Sequence, residues 1–319
     1  MNTQKVITVT LNPSLDRTLF VHYLAAGYHN HTTETTRWDA AGYGMNVSHA
    51  LHRLGSDTQA VVLLGDDAIG GAYQTLIADV SFPITITKRQ GNTRSNMTLV
   101  DRGNNTETYI IEESSGASAD NIQTVIEVLQ DCIDPGDIVV FAGTLPTGLD
   151  PSAYATLAAA VHEAGAEVVL AFSGEALDLA LGVGPEMVSL KQREAEAYFN
   201  FPVRVTDDIV ACARKLREKH GVGKVLILLE EYTGAVLDTA EGTWSVEIPE
   251  IDEGTLSGVA DALLAGLLVG YTQQKPLDDS LALGAAAATY TAAHSGHEFA
   301  PLSKLRPIIK KIEVTDADV

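Results

Sequence analysis

Short runs of β-branched and aliphatic residues recur along this chain, and stretches with apolar residues at helical spacing alternate with them. Val6–Leu11 (VITVTL), Thr58–Leu64 (TQAVVLL), Asp137–Phe141, Glu167–Phe172 and Val225–Leu229 read as strands. Met45–Leu54, Ala68–Ala78, Ser152–Ala164, Asp207–His220, Gly258–Tyr271 and Leu281–His294 read as helices. A continuously apolar strand has no face to turn to water, so helices must cover it above and below. The alternation therefore predicts an α/β fold around a mostly parallel central sheet. Asn12-Pro13 ends the first strand, and Gly55 closes the first helix.

Three polar segments break this rhythm. Thr18–Tyr23 and Thr32–Trp38 read as extended but hydrophilic, and Asn92–Ile111 reads as a hairpin turning at Asp101-Arg102-Gly103-Asn104-Asn105. Too polar for a core, they predict an exposed flap or a small second sheet. No repeat, low-complexity tract or linker is visible. The sequence thus predicts one domain over 1–319, with a β flap from about 12–40 and 92–112.

Charge and composition narrow the partners. The 319 residues include 21 basic and 42 acidic ones, a net charge of −21, and 45% are hydrophobic. Such a hydrophobic share builds a sizeable core and excludes a disordered chain. The acidity opposes nucleic acid and anionic membranes at long range. A few local donors can still hold a small phosphorylated ligand, because salt screens the global field. Cys132 and Cys212 are too few for a disulfide framework and read as buried thiols of a reducing cytosol. The longest apolar stretches, Ala260–Tyr271 and Leu281–Ala293, fall short of the ~20 residues that span a bilayer. Met1–Leu11 lacks a secretory layout, so a cytoplasmic protein is expected.

Four segments carry candidate chemistry. Gly258-Val259-Ala260-Asp261 opens an apolar helix, whose free N–H groups and positive dipole end can hold an anion. Asp261 then sits in the first turn, a place that an ordinary capping acid also takes. In Ala41-Gly42-Tyr43-Gly44-Met45-Asn46 the glycines let backbone approach a ligand, and Asn46 can donate and accept. Asp16 is a carboxylate at a strand connection, equally a turn-former, and Arg94 is a lone cation of a kind usually found at surfaces.

Taken in order and spacing, the pieces gain meaning. They are Thr10-Leu11-Asn12-Pro13-Ser14-Leu15-Asp16, the helix entry at 41–47, Thr93-Arg94, Gly143-Thr144-Leu145-Pro146, Lys191 with Glu196, and the entry at 258–266. The chain resembles the PfkB carbohydrate-kinase family, of ribokinase-like fold, from about Val6 to Ile312. Its opening motif is similar to the 1-phosphofructokinase and tagatose-6-phosphate kinase branch. The resemblance implies a three-layer α/β/α fold with a small β-sheet lid. It also implies transfer of the γ-phosphoryl group of ATP, with Mg²⁺, to a phosphorylated ketohexose of the fructose 1-phosphate or tagatose 6-phosphate type. By the same match Asp261 is the general base and Gly258 begins the anion hole. Asp16, Gly42, Gly44 and Asn46 bind the sugar, and Arg94 binds its phosphate. Lys191, Arg193, Gly234 and Ala260 take the nucleotide, Glu196 serves the metal, and the lid offers a homodimer contact.

Several positions depart from the family pattern. Its Gly-Ala-Gly-Asp reads Gly258-Val259-Ala260-Asp261, and a positive φ at Ala260 is expected to add strain of about 1 kcal/mol. Its Lys-Pro-Asn-x-x-Glu reads Lys191-Gln192-Arg193-Glu194-Ala195-Glu196, where Arg193 is expected to pair with Glu196 at i,i+3. Glu231, beside Glu230, replaces a glycine of the strand-end loop and leaves Gly234, while Tyr43 replaces a lysine. At about 1–1.5 kcal/mol for each donor-side change, ATP binding weakens by about 10²–10³. Two functions accord with this pattern: an active sugar-phosphate kinase, or an impaired homologue that binds a sugar phosphate or a protein partner.

Overall fold

Val6–Thr10 forms β1, wholly buried, and its alternate side chains enter two different cores. A computed structural model describes residues 4–203, 205–230, 233–249, 257–294 and 297–317. After β1 come β2 (Ser14–Val21), β3 (Arg37–Ala41), α1 (Tyr43–Arg53), β4 (Thr58–Gly65), α2 (Ala68–Ile77) and β5 (Ile84–Arg89). The hairpin β6 (Met97–Asp101) and β7 (Thr106–Ile110) leads to α3 (Ala119–Cys132), β8 (Ile138–Ala142), α4 (Ala153–Glu163) and β9 (Glu167–Ala171). Then follow α5 (Glu175–Ala180), β10 (Met187–Lys191), α6 (Gln192–Phe199), α7 (Thr206–His220) and β11 (Lys224–Leu228). The chain ends with β12 (Gly234–Thr239), β13 (Thr243–Glu247), α8 (Val259–Thr272), α9 (Leu277–Ala292), α10 (Leu302–Ile309) and β14 (Val314–Asp316).

The main sheet has ten strands in the order β14-β13-β12-β11-β10-β9-β8-β1-β4-β5. From β11 to β5 every neighbouring pair is parallel, as the apolar runs predict. Ile7, Val9, Val139, Phe141, Val188 and Leu190 pack on one face with α3, α4 and α7. Val6, Ile138, Val140, Leu226 and Leu228 pack on the other with α1, α8 and α9. A smaller cluster around Met45, Val62 and Tyr73 covers β4 and the edge strand β5. The result is helices, sheet, helices, as expected.

A second sheet of four strands runs β3-β2-β6-β7 and contains the predicted hairpin. Here one expectation fails. The strand placed at Thr32–Trp38 begins only at Arg37, because Asn30 holds Ala25 through both its N–H and its carbonyl and keeps the preceding chain looped. Likewise α9 starts at Leu277, a turn before Leu281, since its opening Asp278 and Asp279 are favoured by the helix dipole although they carry no apolar signal. The antiparallel strands β12, β13 and β14 at one edge were not anticipated. Cys132 and Cys212 are free thiols, half-buried and buried. Among the described residues no helix is long and apolar enough to cross a membrane.

Candidate active site

The sheet order fixes where a site can form. From β1 the chain passes to β4 and β5 on one side and returns to β8 and β9 on the other. At such a switch the connections diverge, leaving a crevice beyond the carboxyl ends of the strands. Asn12 stands at that point, just past β1. Its Nδ2 donates to Thr144 Oγ1 at 3.0 Å, and its Oδ1 accepts from Ser114 Oγ at 2.7 Å. Its backbone carbonyl accepts from Arg94 Nε and Nη2 at 3.2 and 2.9 Å, so the guanidinium faces the crevice with two of its nitrogens fixed. Leu15 N donates to Arg94 O at 3.0 Å, which ties this segment to β2.

Gly42 joins β3 to α1 at φ +138, and a Cβ there would stand 2.6 Å from Thr10 Cγ2. Only glycine fits. The turn aims Asn46, on the first coil of α1, at the start of α8, where its Nδ2 donates to Asp261 Oδ2 at 2.8 Å. Gly258 caps α8 at φ +78, and its absent Cβ would meet His297 Cδ2 at 3.3 Å. Asp261 is 5% exposed. Burial pushes its carboxyl up to about 6, against the opposing pull of Asn46, Lys191 and His297. A carboxyl poised near neutrality in a cavity is suited to taking a proton.

Gly42, Asn46, Arg94, Gly258, Asp261 and His297 line one cavity of about 460 Å³, together with Ser14, Thr98 and Tyr109 of the small sheet. Of the residues expected from the sequence, Asp16, Gly42, Asn46, Arg94, Lys191, Gly258, Ala260 and Asp261 meet there. Asp16 Oδ1 accepts from Asn96 Nδ2 at 3.0 Å. Lys191 Nζ donates to Tyr43 Oη at 3.1 Å and lies 4.7 Å from that ring's centre.

Other expected residues lie elsewhere. Gly44 is not on the cavity wall: it is buried, and a Cβ would stand 2.6 Å from Thr10 Oγ1, so it seats α1 against β1. The expected Arg193–Glu196 pair does not form. Arg193 reaches Glu230 instead, Nη2 to Oε2 at 2.8 Å, while Glu196 Oε1 accepts from Val203 N at 3.0 Å and pins the loop after α6. That loop's open N–H outcompetes a side-chain partner one turn away. Nor does strain arise at Ala260, which is helical with negative φ. Gly234 opens β12 beside a separate cavity lined by Thr206, Thr233 and Ile248. Glu231 lies outside the described residues.

Wall residues that carry no sequence signal include His297, Asn96 and Thr98. His297 follows a helix with no motif around it, and the other two look like ordinary strand polarity. Among the described residues no group of three or more His, Cys, Asp or Glu side chains could hold a metal ion.

The profile of the pfkB family of carbohydrate kinases matches residues 9–304. The chain belongs to this family. It is 30% identical over 288 residues to the 1-phosphofructokinase of Bacillus subtilis (strain 168), an alignment covering 90% of this chain and 92% of the relative. In structure it is similar to phosphofructokinase-2 from Escherichia coli in complex with potassium: TM-score 0.89, 23% identity, 97% and 99% of the two chains. The tetrameric inhibited form of that enzyme superposes with a TM-score of 0.86 at 23% identity over 97% of this chain and 99% of its own. At that identity the likeness establishes the fold, the three-layer kinase architecture expected from the motifs.

Proposed function

We propose that this carbohydrate kinase transfers a phosphoryl group from ATP to a hydroxyl of a phosphorylated ketohexose, of the fructose 1-phosphate or tagatose 6-phosphate type. One observation carries the reading. A buried carboxylate, Asp261, shares a cavity with a carboxylate, a guanidinium and the open first turn of a helix. Phosphoryl transfer asks for just these things: a proton acceptor, a grip on the acceptor and donors around the moving charge.

The donor side fits a polyphosphate. The free amides of the first turn of α8 open beside Gly258, and Lys191 adds a cation on the same wall. With no metal-binding cluster among the described residues, a Mg²⁺ would arrive on phosphate oxygens, as that ion commonly does. Glu196, whose Oε1 accepts from Val203 N, would hold a water of that ion. ATP with Mg²⁺ supplies the phosphoryl group. Asp261 accepts the hydroxyl proton, with Asn46 fixing its orientation. Asp16 and Asn96 hold sugar hydroxyls, Arg94 holds the sugar's own phosphate, and Tyr43 steadies Lys191. Arg193, paired to Glu230, and Gly234 border the nucleotide. The four-stranded sheet forms the lid, and its outer face, with exposed Trp38 and Ile110, fits a second copy in a homodimer. A cytoplasmic setting accords with such metabolites.

The impaired-homologue alternative is the less favoured reading. It rests on strain at Ala260, on Arg193, on the carboxylates Glu230 and Glu231 facing a triphosphate, and on Tyr43 in place of a lysine; Glu231 lies outside the described residues. Ala260 is unstrained, and Glu230 is neutralised by Arg193. A coupled assay with ATP–Mg²⁺ and fructose 1-phosphate, tagatose 6-phosphate or fructose 6-phosphate tests the proposal. Turnover with one of the first two is expected, and none with any of the three refutes it.

A further inference from the structure

We propose that His297 is a positioning residue for the base: its imidazolium, seated between the carboxylates of Asp16 and Asp39 and the start of α8, keeps Asp261 ionised and able to take a proton. The role in turnover rests on the function proposed above. The electrostatic coupling does not, being a property of the unliganded protein.

The register of the small sheet sets the problem. Asp16 of β2 and Asp39 of β3 are direct cross-strand partners, so both side chains stand on one face. Like charges so placed repel, and the face needs a cation. Asp16 and Asp261 line the same cavity, which brings a third carboxylate close. Arg37 takes one flank of Asp39, with Nε 2.9 Å from Oδ2. His297 takes the inner flank. Its Nδ1 lies 3.9 Å from that same Oδ2 and is buried without a hydrogen-bond partner among the described residues. A proton on Nδ1 sets a second cation beside Asp39, opposite Arg37. On the other side Nε2 sits 2.9 Å from Ser257 Oγ, and the ring packs on the Cα face of Gly258. One imidazole thus ties the acceptor-side sheet to the first turn of the catalytic helix.

The charged neighbours agree on who carries the proton. His49 of α1 also faces His297, but burial pushes it down to about 4, so it is neutral near pH 7. Burial opposes a charge on His297 too, yet Asp39, Asp16 and Asp261 together raise it above its ordinary value. Lys191 of β10 is the second cation acting on Asp261. Arg94 acts on Asp16 and Arg37 flanks Asp39, which leaves His297 and Lys191 as the cations that act on Asp261.

Carboxyl and imidazole NMR titrations of the unliganded protein test this, with Asp261 assigned by comparison with Asp261→Asn. In wild type His297 is expected to stay protonated through the range where Asp261 titrates. In His297→Gln the Asp261 midpoint should rise by about one pH unit. In Asp39→Asn, which leaves the contacts of Asp261 intact, the midpoints of His297 and Asp261 should move in opposite directions, down and up. In turnover, the acid limb of kcat/KM for His297→Gln should shift upward, with about fivefold loss at pH 6 and little change at pH 8.5. An unmoved Asp261 midpoint in folded His297→Gln overturns the proposal. So does a wild-type His297 already neutral at pH 6, a result that needs no variant. Absent turnover with intact coupling would instead count against the kinase substrate.

Discussion

Asp261 is held where its charged form is disfavoured, and that has a cost in stability. Its folded pKa, about 6, stands above the ordinary 3.8, so the folded chain binds this proton more tightly than the unfolded one. The stabilising contribution is full below about 3.8 and is lost as pH rises through about 6; at pH 7 the carboxylate is a net burden. Asp261→Asn can still accept the bond from Asn46. It should therefore raise the unfolding free energy at pH 7 by on the order of 1–3 kcal/mol, with a much smaller gain at pH 4, while turnover falls by about 10²–10⁴. Urea unfolding at the two pH values reads the first effect and the coupled assay the second. Gly258 works in the opposite sense. Gly258→Ala places a methyl group at φ +78 against His297 and Phe299, and should destabilise the fold by about 1–2 kcal/mol while raising KM for ATP. Thermal unfolding and initial rates measure both.

At the scale of elements, the start of α8 is only as well placed as the helix behind it. α8 and α9 touch backbone to backbone: a Cβ on Gly266 would lie 2.6 Å from Gly284 Cα, and one on Gly284 would lie 2.6 Å from Leu263 O. Gly284→Ala should push the helices apart and destabilise by about 1–3 kcal/mol, shown by a lower urea midpoint at unchanged slope. Loss of activity should accompany it, since the first turn of α8 would shift with the helix. The Arg193–Glu230 pair is a different kind of contact. Arg193's side chain is 80% exposed, so Arg193→Ala should alter stability by less than about 0.5 kcal/mol in the same measurement.

At the scale of the whole molecule, the net charge of −21 works against anionic substrates. The cations of the site act at contact distance, whereas the surface field acts on approach. Raising ionic strength from about 0.02 to about 0.2 M shortens the screening length severalfold, so kcat/KM for the phosphosugar should rise while kcat holds. A fall in kcat/KM over that range would show that local cations dominate the encounter.

Sequence alone determined the layers and most of the wall. Periodicity is local: continuous aliphatic runs such as TQAVVLL can be satisfied only between two helical layers, so the parallel sheet was legible without coordinates. The glycines at 42 and 258 and the residues that follow them were legible for a similar reason, because a helix start is written in adjacent residues. Tertiary structure decided the pairings. Arg193 chose Glu230 over Glu196, Ala260 proved helical, and Asp16 and Asp39 met across a ladder. His297, 36 residues beyond Asp261, came to rest against the start of its helix. Such contacts depend on strand register and on how helices close over a sheet, and these are settled by packing between segments distant in the chain.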